Sequence, residues 1–136
     1  MRRFVDCTLL LLFAGCAGAP DAEAMHDAAR AHRYTATVTV TADALLPTAD
    51  IAIPAFSTVL FRNGTEQTIT VDVHAAACND CDTVLGFEPS VDGVRSAPIA
   101  PGAVATLCFH EGGEFRYVAN GIEPALAGIV RVGGSR

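Results

Sequence analysis

The sequence of 136 residues has little positive charge and no apolar run long enough to cross a membrane. Its nine basic residues are all arginine, against 15 acidic residues, and the formal net charge is −6. An acidic chain argues against binding to nucleic acid and against electrostatic adhesion to anionic headgroups. The apolar run at residues 7–14 is far shorter than the roughly 20 residues that a membrane-spanning helix needs.

Common catalytic patterns are also missing. The sequence has no Ser-His-Asp order, no paired-carboxylate spacing and no glycine-rich phosphate loop, and Gly112-Gly113 is better interpreted as a turn between strands. We therefore predict that the protein is not an enzyme.

The N-terminal segment has the features of an export signal. Arg2 and Arg3 give a positive start, the apolar run follows, and small residues precede Cys16. This segment resembles the lipobox of bacterial lipoproteins, although Phe13 replaces the usual leucine and Asp6 shortens the apolar core. The resemblance implies a signal peptide at residues 1–15, lipidation of Cys16 and a location in the bacterial cell envelope, anchored to a membrane. An ordinary signal peptide with a chance cysteine is the alternative.

After the signal, the chain divides into a tether and one domain. Residues 16–33 are small and polar without an apolar stripe, so a flexible tether is predicted there. Residues 34–136 show short runs of alternating or β-branched residues separated by turn signals, which predict an all-β sandwich or barrel of about seven strands. The expected strands are 34–41, 50–53, 58–62, 67–73, 103–109, 114–119 and 129–132, with a long irregular excursion near residues 74–97.

Two stretches of this domain resemble the cupredoxin family. Residues 46–63 match its opening strands, which end in an aromatic-x-Asn motif at Phe61-Arg62-Asn63. Residues 101–109, 113–119 and 126–132 match its closing strands. The resemblance implies a Greek-key β-sandwich over about residues 36–132.

The same resemblance shows where the family's copper ligands would fall. A type 1 copper site uses two histidines, a cysteine thiolate and usually a methionine. The positions that match the closing Cys, His and Met are Ala119, about Ile122, and Leu126, and the first His should fall near Gln67–Thr68. None of these side chains suits copper, so blue-copper electron transfer is not predicted.

Three cysteines and one histidine form the remaining candidate site. Cys78-x-x-Cys81 has the spacing of a metal-ligand knuckle, and Cys108-x-His110 places two groups on one face of a strand. Together, Cys78, Cys81, Cys108 and His110 would form a Cys3His set suited to zinc or to Cu(I).

Two other interpretations of these cysteines stay open. Exported proteins usually pair their cysteines, so Cys108 could form a disulfide with Cys78 or Cys81 and fasten the excursion to the sheet. The domain would then be a metal-free structural or protein-binding module with an envelope partner. A redox-active Cys-x-x-Cys is the third interpretation, although no helix start follows Cys81 to lower a thiol pKa.

Overall fold

The computed structural model describes residues 34–74 and 86–133. Within these ranges the regular secondary structure consists of β-strands, joined by turns and loops, and there is no helix. The strands are β1 (Tyr34–Val40), β2 (Leu45–Leu46), β3 (Asp50–Pro54), β4 (Ser57–Asn63), β5 (Thr70–His74), β6 (Phe87–Ser90), β7 (Gly93–Ser96), β8 (Val104–Phe109), β9 (Gly113–Asn120) and β10 (Leu126–Gly133). A search of the described residues finds no helix with the length and apolarity of a membrane span.

The strands form two mixed sheets. The first has the order β2-β1-β4-β8 and the second the order β3-β10-β9-β5-β7-β6. Parallel pairs join β1 to β4 and β3 to β10, whereas β4–β8, β9–β10 and β5–β9 are antiparallel. The predicted all-β sandwich is therefore confirmed.

Strand register defines two ends of the sandwich. Tyr34 lies opposite Ser57, and Ser57 lies opposite Phe109, so the start of β1, the start of β4 and the end of β8 share what we call the Ser57 end. At the other end, Asn63 at the close of β4 is hydrogen-bonded to residues just before β5 and β8. We call it the Asn63 end.

The core lies between the sheets and follows the period of two expected for strands. On β4, Val59 and Phe61 are buried, and on β8 the inward residues are Ala105, Leu107 and Phe109. Aromatic rings connect the layers, with ring centroids 5.3 Å apart for Phe61–Tyr117 and 5.1 Å for Phe109–Phe115. Such tilted pairs add to the stabilisation that burial gives.

The sequence prediction missed three strands. Two of them lie within residues 74–97, where an irregular excursion was predicted, so that prediction is wrong for this part. Residues 87–96 are not irregular: β6 and β7 form an antiparallel hairpin in which Glu88 lies opposite Arg95 and Ser90 opposite Gly93. The third missed strand, β2, has only two residues. Residues 75–85 lie outside the described part of the chain, as do the predicted signal segment and tether.

Candidate functional site

The positions that match the copper ligands lie at the Asn63 end and are filled with apolar side chains. Ala119 is 0% exposed and Ile122 is 7% exposed, and Leu126 packs against the same core cluster. These side chains have no thiolate, imidazole or thioether with which to bind copper. The residues of this end therefore do not fit a type 1 copper ion.

Backbone packing closes this end as well. The turn between β9 and β10 passes so close to Thr68 that a Cβ on Gly121 would lie 2.6 Å from the Thr68 carbonyl oxygen. Beneath it, the buried Asn63 amide donates to the carbonyls of Gln67 and Ile99 at 2.7 and 2.8 Å. Its oxygen accepts hydrogen bonds from the Thr65 backbone and hydroxyl at 2.9 and 2.7 Å. The segment in which the first His was expected is thus fixed by hydrogen bonds to Asn63.

At the Ser57 end, the structure brings together two of the four predicted metal ligands. Cys108 is the fifth residue of β8, and His110 follows directly after the strand. The Cys108 Sγ lies 3.9 Å from the His110 Nε2. Two ligands of a tetrahedral zinc lie about 3.6 Å apart, given metal–ligand bonds of about 2.0–2.3 Å. The spacing of these two groups is thus close to that of a metal-binding pair.

An aromatic side chain that sequence reasoning missed contacts this pair. The ring of Phe56 packs on the His110 ring, with centroids 5.0 Å apart and planes tilted by 36°. Phe56 lies in the turn between β3 and β4 and has a φ of 60°, which is uncommon for a residue other than glycine. The sequence signal for this contact is an aromatic residue directly before a strand that pairs with β8.

Cys108 is buried although it faces away from the core. On this outer face of β4 and β8, Arg62 and Val104 are exposed at the Asn63 end, whereas Thr58 is 7% exposed and Cys108 is 0% exposed at the Ser57 end. Thr58 and Cys108 are paired across the two strands. Burial therefore increases along the outer face toward the Cys108–His110 pair.

The sulfur of Cys108 is disulfide-bonded in this structure. Cys108 is the only cysteine within the described residues. A disulfide sulfur is not a thiolate, and Cys108 does not act as a metal ligand in this state. Reduction would be required before the predicted Cys3His set could form.

The remaining predicted ligands cannot be placed in the described structure. Cys78, Cys81 and the predicted lipidation site Cys16 all lie outside the described residues, so the four-ligand set stays a prediction. Among residues 34–74 and 86–133, no group of three or more His, Cys, Asp and Glu side chains could hold a metal ion.

His74, at the end of β5, is exposed. It lines a cavity of about 180 Å³ together with Asp72 and Arg95. Those two form an ion pair, in which the Arg95 guanidinium donates to both oxygens of the Asp72 carboxylate. Asn120 also donates to Asp72, at 2.8 Å, so the carboxylate is occupied by structural partners.

The fold is similar to those of solved copper proteins. Amicyanin from Paracoccus versutus superposes with a TM-score of 0.51 at 19% identity, covering 73% of this chain and 81% of that chain. A purple cupredoxin from Nitrosopumilus maritimus gives 0.51 at 16% identity over 72% of this chain and 99% of its own. The chain has a cupredoxin fold.

Enzymes also contain this fold. The copper-containing nitrite reductase of Thermus scotoductus matches the cupredoxin-like chain with a TM-score of 0.50 at 20% identity, over 75% of this chain but only 23% of the reductase. No family model and no curated protein matches the sequence. At these identities the likeness establishes the fold and leaves the activity to the residues of the site.

Proposed function

We propose that this protein is an envelope lipoprotein whose cupredoxin-like domain is a metal-free structural or protein-binding module, fastened by a disulfide from Cys108 to Cys78 or Cys81. The observation that carries the proposal is the disulfide-bonded, fully buried sulfur of Cys108. The apolar residues at the usual copper positions support it, because they leave the domain without the family's redox centre.

The described ends of the excursion support one of these two cysteines as the partner. The chain leaves β5 at His74, at the Ser57 end, and returns at Gly86, where an added Cβ would lie 3.6 Å from the Ala105 Cβ. Cys78 is four residues after His74, a reach of up to about 14 Å, and Cys81 is five residues before Gly86, a reach of up to about 17 Å. Cys108 is only about 10 Å along β8 from Ala105.

Such a disulfide would stabilise the domain by restricting the unfolded chain. It would close a loop of about 27 to 30 residues, which by chain entropy corresponds to about 3 to 4 kcal/mol. The cross-link would tie the excursion to a strand at the edge of the smaller sheet, where it holds one corner of the sandwich together.

The intact mass and metal content of the unreduced soluble domain test this proposal. We expect a mass about 2 Da below that of the reduced chain, one alkylatable thiol and no bound metal. Peptide mapping would then identify Cys78 or Cys81 as the partner. A domain with three free thiols, or with one tightly bound metal per chain as isolated, would contradict the proposal.

A second candidate function is binding of Cu(I) or zinc by the reduced domain. The 3.9 Å separation of Cys108 Sγ and His110 Nε2 favours it, since the two groups are already near ligand spacing. After reduction, we expect one equivalent of metal to bind through Cys78, Cys81, Cys108 and His110. Cys108→Ser and His110→Ala should abolish binding, whereas His74→Ala, a histidine at the same end, should not. Equal binding by all three variants would exclude this site.

A further inference from the structure

We infer that the open edge of β1 is an interface for a second copy of this chain. In the inferred dimer, residues 34–38 of the two copies pair as antiparallel strands about Ala36, and the two smaller sheets join into one continuous sheet. The inference goes beyond the proposed function and does not depend on the Cys108 disulfide. It follows from the pairing of β1, the direction of its backbone groups and the sequence along this edge.

One edge of β1 is open over five of its seven residues. β4 pairs with β1 along its whole length, whereas β2 on the other side pairs only with Thr39 and Val40. After β2 the chain leaves this sheet, since β3 pairs with β10 in the other sheet. In the part of the chain that the structure describes, no strand lies beside residues 34–38 on the β2 side. Thr35 and Thr37 are accordingly exposed.

Alternate residues of β1 direct their backbone groups toward this open edge. The Val40 carbonyl accepts from the Gly64 N–H at 2.8 Å, so Val40 faces the β4 side. The Thr41 N–H instead donates at 2.9 Å to a carbonyl in the turn before β2. Neighbouring residues of a strand direct their N–H and C=O groups to opposite edges. The backbone groups of Thr35 and Thr37 therefore face the same side as that of Thr41, the side that β2 leaves open.

The other sheet edges have protection against pairing that the β1 edge lacks. An open edge is a template for another strand unless it is short, charged, interrupted by proline or covered. β2 has two residues, β6 contains Pro89, β3 carries Asp50 and Pro54, and on β8 Cys108 is buried. Residues 34–40 contain no charge, no proline and no glycine, and five of the seven are threonine or valine, which favour strands. Of the edges that the structure describes, that of β1 is thus the one best suited to pairing.

This edge is complementary to a second copy of itself. When two copies run antiparallel with Ala36 opposite Ala36, Thr35 of each copy lies opposite Thr37 of the other. Both residues direct their N–H and C=O groups to the facing strand, so the two Thr35–Thr37 pairs exchange four hydrogen bonds and satisfy every outward group at these positions. Cross-strand threonine pairs are themselves favourable. Because the segment is uncharged, the contact does not bring the acidic side chains of two copies directly opposite each other.

β2 limits the register, and symmetry limits the size of the assembly. A partner strand shifted further toward Val40 would meet Leu46, which already lies opposite Thr39. The open segment 34–38 therefore has Ala36 at its centre. Because both copies use the same patch, a two-fold axis closes the contact and produces a dimer instead of a filament.

Sedimentation equilibrium over a range of concentrations tests the dimer. Residues 17–136 contain both sheets and the whole described core, and they lack the predicted lipidation site. We expect a reversible equilibrium of monomer and dimer. Thr37→Pro removes one outward N–H per copy and leaves the β4 pairing intact, so it should raise the dimer dissociation constant about tenfold to a hundredfold, the effect of two lost hydrogen bonds. Thr37→Val keeps the N–H and the β-branched shape, and should dimerise as the unsubstituted chain does.

Amide hydrogen exchange tests which edge is used. In the unsubstituted chain, exchange at Thr35 and Thr37 should slow as the concentration rises, whereas exchange at Val38, whose N–H faces β4, should not change. If Thr37→Pro lowers the stability of the fold, Thr35→Pro near the start of β1 is the second variant and should weaken the dimer in the same way. A chain that is monomeric at every concentration would overturn the inference. So would a dimer whose dissociation constant is unchanged in both proline variants, because another surface would then hold it.

Discussion

Tyr117 shows how one buried polar group contributes to this fold. Its side chain is 0% exposed, and its hydroxyl donates to the Ala49 carbonyl at 2.7 Å, which ties β9 to the residue before β3. Burial, with a further contribution from the negative charge of Asp50, raises the pKa of Tyr117 from 10.0 to about 12. The folded state therefore holds this proton more tightly than the unfolded chain does.

Stability should fall in a defined alkaline window. The pKa of Tyr117 is higher in the folded state than in the unfolded chain. Its contribution to the free energy of unfolding is therefore complete below pH 10 and is lost as the pH rises from 10 toward about 12. Tyr117→Phe should remove that loss. At neutral pH it should cost about 1 kcal/mol for the hydrogen bond. Ultraviolet titration and denaturant unfolding at each pH check both statements, with Tyr34→Phe as the control. Titration of Tyr117 near pH 10 would contradict the prediction.

Spacing within a strand was the reliable part of the sequence prediction for the site. The period of two placed Cys108 and His110 on one face of β8, and they lie 3.9 Å apart. The contact of Phe56 was not predicted, because it comes from a turn of another strand and depends on a positive φ. The burial of Cys108 was not predicted either, since parity gives the direction of a side chain and not what covers it.

At the scale of elements, the missed hairpin has a simple cause. Pro89 lies within β6, and the segment does not alternate apolar with polar residues, so the sequence of residues 87–96 predicts a loop. Proline is tolerated there because β6 is the edge strand of its sheet and needs hydrogen bonds on one side only. The two-residue turn of this hairpin is Val91-Asp92, and Gly93 directly after it is the sequence signal that could have indicated the hairpin. Strands between clear turn signals, such as β4, β8 and β9, were predicted closely.

The turn between β9 and β10 closes the Asn63 end of the sandwich, where the family's copper ligands would fall. Gly121 is the most constrained residue of this turn. Gly121 has a φ of 98°, and an added Cβ would lie 2.6 Å from the Thr68 carbonyl oxygen. Gly121→Ala must therefore move the turn away from Thr68 as well as accept a strained backbone. Gly102, with a φ of 77° and nothing within 4 Å of an added Cβ, is a matched control for the backbone strain alone.

We expect Gly102→Ala to lower the free energy of unfolding by about 1 to 2 kcal/mol, the cost of a left-handed backbone for alanine. Gly121→Ala should lower the free energy of unfolding by clearly more than this. The atom that its Cβ would meet is the Thr68 backbone carbonyl oxygen, which cannot move aside as the end of a flexible side chain can. Denaturant unfolding of the two variants under the same conditions makes the comparison. Equal losses of unfolding free energy in the two variants would mean that the β9–β10 turn can move away from Thr68 at no cost. The Asn63 end would then not be closed by this contact.

At the scale of the whole molecule, the described chain begins and ends at the same end of the sandwich. Tyr34 of β1 lies beside Ser57, and Gly133 at the close of β10 lies opposite Pro54, three residues before Ser57. Cys108 and His110 lie at this end too. The proposed lipid on Cys16 would thus hold Cys108 and His110 on the side of the domain nearer to the membrane.

Lipidation itself is the prediction that decides this orientation. In bacteria that lipidate exported proteins, we expect the full-length chain to partition into the detergent phase of a phase-separation assay and to carry an acyl mass on the peptide that begins at Cys16. A single lipid chain binds a bilayer only marginally, so stable anchoring requires more than one acyl group. Cys16→Ser should move the protein to the aqueous phase, whereas Cys7→Ser, within the predicted signal segment, should leave it in the detergent phase. Detergent partitioning of Cys16→Ser without acyl mass would show that another segment holds the protein at the membrane, and the proposed orientation would then be wrong.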